Sequence, residues 1–229
     1  MEYKNTMNIL QELEDFINEF NQDNGADFSI DSIRTEFQKQ HKLEKLKAVG
    51  TWKKVGKNSD ILHKLKKRLA ETEVTSVYRL EQYNIYYYNK KDDTKKYRKA
   101  EMVIFGMKQY HKDAPPKEII VKILSILKDI TNIDLCLDMP YKPSYEALEK
   151  YFVLIPYRTK DGILTDTRYI NETGIMMLDK VTIYNKAFKN ELNGILWRME
   201  AKISIPNIKA LALPLHEFKQ IIDIAKEIT

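Results

Sequence analysis

One cysteine, seven glycines and four scattered histidines leave this chain without several familiar chemistries. Cys136 has no second thiol to pair with, so no internal disulfide forms, which fits a reducing cytoplasm. Flanked by Leu135 and Leu137, it reads as a small buried hydrophobe. So few glycines leave no phosphate-cradling loop and no dinucleotide fingerprint. Paired cysteines of the zinc type are missing, and His41, His63, His111 and His216 form no closely spaced metal pair. Long apolar runs are missing too: nothing approaches the ~20 residues a membrane helix needs. The opening MEYKNTMNILQELEDF is acidic and amphipathic, unlike a secretory signal. A cytoplasmic protein with no membrane partner is expected.

What is present is charge, unevenly placed. The net charge of the 229 residues is +5. Between Lys39 and Arg68, however, eleven basic residues face only Glu44 and Asp60, a local +9 that leaves −4 for the rest. Such a block is the electrostatic footprint of a polyanion binder, or else a solvated helical face.

The hydrophobic period divides the chain. Residues 7–20 place Ile9, Leu10, Leu13, Phe16, Ile17 and Phe20 at helical spacing, and 30–47 do so through Ile33, Phe37, Leu43 and Leu46. Residues 59–71 read as a basic helix capped by Ser59 or Asp60. Residues 1–73 are therefore expected to be a helical, basic segment that binds DNA or a partner. From 74 to 229 the character changes. Strands are expected at 77–89, 100–107, 132–139, 152–158, 164–171, 181–186 and 195–205, with helices at 117–130, in PSYEALEKY and at the C-terminus. Hairpins outnumber parallel crossovers. The fold class expected is α+β, a mainly antiparallel sheet backed by helices. A short internal echo links NIYYYNKK…YRKAEMVIF with VTIYNKAF…LWRMEAKIS.

Period two puts Asp134, Cys136 and Asp138 on one strand face and Leu135 and Leu137 on the other. The two aspartates repel unless solvated, paired or bridged by a hard cation such as Mg²⁺ or Mn²⁺. The bland alternatives are that Asp138 caps the following turn and Asp134 pairs with a lysine. Likewise Trp197, Met199 and Ala201 share one face, and Arg198 and Glu200 the other, where they pair structurally or serve a site. Tyr169 sits among polar, turn-forming neighbours beside Arg168. A tyrosine hydroxyl attacks phosphorus when its proton is removed and the phosphate is held.

Four segments taken in order resemble one family. IDLCLD (133–138) is similar to its Asp-hydrophobe-Ala-hydrophobe-Asp strand, and TRYINETG (167–174) stands where it has Tyr-x-Gly-Ser-Arg/Lys. VTIYNKAFKNE (181–191) resembles its Ile-Arg-Ile-Tyr-Asp/Asn-Lys strand, and LWRMEAKIS (196–204) its Trp-Arg-x-Glu strand. The family is the rolling-circle replication initiators of the Rep_trans type, with related nicking proteins of plasmids and phages. The resemblance implies a metal-dependent DNA-nicking and -rejoining enzyme that starts replication at an origin through a tyrosyl-phosphodiester intermediate. It implies Tyr169 as nucleophile, with Tyr157 and Tyr184 in reserve. Asp138 and Glu200, with Asp134, would hold the divalent metal. Arg198 would be a phosphate or structural partner and Lys186 a phosphate contact. The chain departs from the pattern in Tyr-Ile-Asn-Glu-Thr, where the missing basic residue falls to Arg168. The expected partners are origin DNA, single-stranded or hairpin, a host helicase or polymerase, and a second copy. Lys53, Lys54, Lys57, Lys64, Lys66, Lys67, Arg68 and Arg168 are the expected DNA-binding residues. The alternative is a non-catalytic DNA-binding initiator or regulator of the same fold.

Overall fold

The computed structural model describes residues 8–57, 59–69, 74–89, 99–108, 114–159 and 161–226. The charged turn around 90–98 and His111 lie outside them, as do the side chains of Lys64, Lys66, Lys67 and Arg68. Contacts divide the chain into two compact units. One is built on Ser32–Gln109 and Asp113–Thr131 with the start of the chain, the other on Glu14–Asp31 and Asn132–Thr229. The first helix, α1 (Ile9–Asn24), contributes residues to both.

In the first unit, residues 30–38 are not helical. Strand β1 (Ser29–Gln38) is followed by helix α2 (Lys39–Lys47), so the first 73 residues are not an all-helical segment. The reason lies in the spacing: Ile33 and Phe37 are four apart, which fits a helix face and a strand face alike, and Thr35 between them completes a period of two. After β2 (Trp52–Lys54) and α3 (Asp60–Leu69) come β3 (Thr75–Leu80), β4 (Ile85–Asn89), β5 (Lys99–Phe105) and α4 (Lys117–Leu127). The strand order is β2-β3-β4-β5-β1, and the described pairings are antiparallel. Ser59 caps α3, its Oγ accepting from the Leu62 N–H at 3.2 Å. That helix lays Leu62 and Leu65 on one sheet face, against Tyr86, Tyr88, Val103 and Phe105. Several charges of the basic block are tied down locally. Lys39 donates to Asn89 Oδ1 at 2.7 Å, Lys42 donates to the Leu127 carbonyl, and Lys47 meets Glu44 at 2.6 Å. Lys53, Lys54 and Lys57 are exposed.

The second unit runs β6 (Asn132–Met139), α5 (Tyr145–Glu149), β7 (Ile155–Arg158), β8 (Leu164–Ile170), β9 (Leu178–Asn185), α6 (Lys186–Lys189), β10 (Trp197–Ser204) and α7 (Ala212–Ala225). Its order is β6-β10-β9-β8-β7, with antiparallel pairs. Edge strand β7 carries Pro156, which has no N–H to offer a further strand. Trp197, Met199, Ala201 and Ile203 are all buried, with α7 packed against β10 and Tyr145 of α5 edge-on to Trp197. Phe28 stacks on Phe218 of α7 and on Phe20. The α+β class and the mainly antiparallel sheet are as expected.

Candidate active site

The polar face of the second unit's strands is ordered in rows by strand register. Tyr169 of β8 pairs with Thr182 of β9, Thr182 with Glu200 of β10, and Glu200 with Cys136 of β6. One row along, Tyr184 pairs with Arg198 and Arg198 with Asp138. Directly paired residues point to the same side of a sheet. Tyr169, Glu200, Arg198, Asp138 and Tyr184 therefore share one face, although they come from four strands.

Arg198 is the hub. Its side chain is fully buried, and its Nε and Nη2 donate to the two oxygens of Asp138 at 2.6 and 2.7 Å, a bidentate fork. Nη1 donates to Asp31 at 3.0 Å and lies 3.7 Å from Glu200. Burial opposes the guanidinium charge. The hydrogen bonds to Asp138 and the acidic groups around it outweigh burial and drive the pKa upward, so the residue stays cationic. Of the two roles expected for Arg198, the structural one matches this geometry. The guanidinium is sealed from solvent and engaged by carboxylates.

Tyr184 is 4% exposed, and its hydroxyl donates to Glu200 Oε1 at 2.5 Å and accepts from Lys186 Nζ at 3.4 Å. Burial first, then the Glu200 charge, pushes this phenol far above its ordinary pKa. Lys186 is buried as well, and burial together with Arg198 lowers its pKa. It braces Tyr184 rather than facing solvent as a phosphate contact. Asp31, Asp138 and Glu200 gather around Arg198, with Lys186 behind Tyr184.

Tyr169 is half-buried and makes an edge-on contact with Tyr157. The Lys180 ammonium lies 3.9 Å from the Tyr169 ring centroid. Among the described residues its hydroxyl has no hydrogen-bond partner. Burial, Tyr157 and Glu200 raise its pKa. Lys180 itself is held below the usual lysine range by burial and by Lys202, its cross-strand partner.

Within this unit, two expected residues lie apart from the cluster. Asp134 is four residues from Asp138, about 13 Å along a strand, and its cross-strand partner is Lys202. It lies in the row of Lys202 and Lys180. Arg168 pairs with Ile183, on the other face from Tyr169. It donates to the Thr165 carbonyl at 2.6 Å and stacks on Tyr145 at 5.0 Å, so it does not supply the missing basic group. Lys180 stands there instead. Lys53 and Lys54 lie on β2 of the first unit, and Lys64, Lys66, Lys67 and Arg68 on α3.

Asp31 and Lys180 are the site residues that sequence reasoning missed. Asp31 lies in the stretch taken for helix, and Lys180 one residue before the expected start of its strand. Reading 29–38 and 178–185 as strands would have found both.

A hard cation fits this donor set in kind, since Asp138 and Glu200 offer carboxylate oxygens. No cluster of three candidate ligands occurs among the described residues. Both Asp138 oxygens already accept from Arg198.

No protein-family model matches the sequence, and no curated protein matches it. A solved structure described as a rolling circle replication initiator protein from Geobacillus stearothermophilus is similar over 86% of this chain and 78% of that one, at 13% identity and a TM-score of 0.42. No helix among the described residues is long and apolar enough to cross a membrane.

Proposed function

We propose that the polar face of the second unit nicks and reseals a single DNA strand, so that the protein initiates rolling-circle replication of a plasmid or phage replicon. The observation that carries this reading is the row Tyr169–Thr182–Glu200. It puts a phenol and a carboxylate on one face two strand spacings apart, about 9.5 Å, with Thr182 between them. The motifs quoted above supply the order of those residues along the chain.

In the proposed reaction, Tyr169 Oη attacks phosphorus, the P–O3′ bond breaks, and the departing 3′ oxygen takes up a proton. The phenolic proton passes to solvent. The tyrosyl ester left on the 5′ phosphate is attacked by a 3′ hydroxyl in reverse to reseal the strand. Lys180, beside the ring, offsets phosphate charge. Arg198 fixes Asp31, Asp138 and Glu200, while Tyr184 and Lys186 fix the Glu200 carboxylate from the other side. A divalent ion, Mg²⁺ or Mn²⁺, held by Asp138 and Glu200 would polarise the phosphate oxygens.

The test is incubation with a labelled, sequence-randomised pool of single-stranded oligonucleotides and Mn²⁺. An SDS-stable adduct mapping to Tyr169, lost in Tyr169→Phe and retained in Tyr157→Phe, is the expected result. An adduct on another tyrosine moves the nucleophile. Salt-sensitive binding with no adduct supports the second reading, a DNA-binding initiator or regulator without nicking. What favours that second reading is the Tyr169 hydroxyl itself, which has no base within hydrogen-bond reach among the described residues and a raised pKa. A rate that climbs about tenfold per pH unit below the phenol pKa is expected if phenolate is the attacking form.

A further inference from the structure

Beside the Glu200–Tyr184 pair, the one-turn helix α6 presents an aromatic ring to solvent. Phe188 is 85% exposed, and the turn that carries it is firmly anchored. The N–H groups of Lys186 and Ala187 both donate to the Leu196 carbonyl, at 2.8 and 3.0 Å. Asn185 Oδ1 accepts from the Phe188 N–H at 2.8 Å, and Ala187 is buried. Cations tied to the site stand near Phe188 in the chain. Lys186 reaches the Tyr184 hydroxyl, and the exposed Lys189 has its ammonium 4.1 Å from the Tyr184 ring centroid. An isolated exposed hydrophobe is ordinary. An exposed ring on an anchored turn, followed in the chain by the exposed Lys189 and one strand end away from a candidate phosphate site, matches how single strands are bound: cations follow the backbone and aromatic faces take the bases.

We propose that Phe188 is a stacking platform for a base of the single strand bound at this face, with Lys189 beside it on the neighbouring phosphate. The proposal rests on the reading that this face takes a nucleic-acid strand, but it does not need the strand to be cut.

The experiment measures fluorescence anisotropy of a short single-stranded oligonucleotide carrying 2-aminopurine, without added metal, against the full chain. Phe188→Ala should weaken binding by about five- to a hundredfold and abolish the quenching that stacking gives 2-aminopurine. Phe188→Trp should keep both, and Phe188→Leu, apolar without a π face, should lose both. With so exposed a side chain, thermal melting should be unchanged in all three. Equal affinity in Phe188→Ala, full rescue by leucine, or a shift only in oligomeric state by sedimentation overturns the platform. Absence of any adduct in the nicking assay leaves these binding results standing. An adduct formed at the wild-type rate and affinity by Phe188→Ala defeats the platform alone.

Discussion

The two units run the same course and finish their polar faces differently. In each, the first strand lies at one end of the order, the second at the other end, and the next three step back toward the first: β1-β5-β4-β3-β2 and β6-β10-β9-β8-β7. A helix follows the last strand in both, α4 and α7. The internal echo in the sequence falls on corresponding strands, β4 and β5 against β9 and β10. Aligning Tyr88-Asn89 with Tyr184-Asn185 matches the row Tyr88–Glu101–Glu36 with Tyr184–Arg198–Asp138. The next row matches Arg79–Tyr86–Val103–Arg34 with Tyr169–Thr182–Glu200–Cys136. In the first unit Leu62 and Leu65 of α3 fill this face, and Tyr88 and Val103 are fully buried. In the second, Tyr169, Thr182 and Glu200 stay part-exposed over a charged cluster. One scaffold thus carries an apolar seal in one unit and an accessible acidic site in the other.

The largest effect should come from the hub of the second face. Arg198→Met would leave Asp31, Asp138 and Glu200 with no guanidinium between them, and should cost about 3–5 kcal/mol in urea unfolding. Arg198→Lys, a point charge without the fork, should recover only a small part. If methionine unfolds at the wild-type urea midpoint, the carboxylates do not depend on Arg198, and the contrast between the faces loses its basis. Next is the seal of the first face. Leu65, 4% exposed, should cost about 2–4 kcal/mol when cut to alanine. A cost below about 0.5 kcal/mol would mean that α3 does not seal the sheet.

A third contrast concerns alkali. Burial, with help from Tyr78, pushes the Tyr87 phenol up to about 12, and Tyr184 is pushed well beyond that by burial and Glu200. Both folded values exceed the ordinary 10. Above pH 10 the unfolded chain therefore binds fewer protons than the folded one, and stability falls as pH rises. Each such tyrosine adds about 1.4 kcal/mol per pH unit to the slope. Tyr87→Phe should flatten the loss only between about pH 10 and 12, whereas Tyr184→Phe should flatten it over the whole range above 10. Equal windows for the two would remove the distinction between the two burial sites.

Much of this could be read in the sequence where alternation is clean. NIDLCLDM and LWRMEAKIS assign their faces without help, and Arg198, Glu200 and Asp138 lie where period two puts them. Reading failed where a spacing fits two periods. Ile33 and Phe37, four apart, hid β1 and with it Asp31. Lys180 lies where the β9–β10 register slips, between Lys202 and Ile203, and the expected strand began just after it. Sequence adjacency also misled: Arg168 is next to Tyr169 in the chain and therefore on the opposite face of the sheet.

The smallest change in stability separates the faces by function. Lys53 and Lys54 are exposed on edge strand β2, and replacing both with glutamine should move stability by less than about 0.5 kcal/mol. If the basic block holds DNA backbone, the plot of log affinity against log salt should lose about one unit of slope per lysine, for duplex and single strand alike. Tyrosyl-adduct formation at saturating DNA should be unaltered if the proposed chemistry belongs to the other unit. An unchanged salt slope would reduce the block to a solvated surface. A changed adduct rate at saturation would mean that the first unit takes part in the chemistry, and the division between a binding unit and a cutting unit would have to be abandoned.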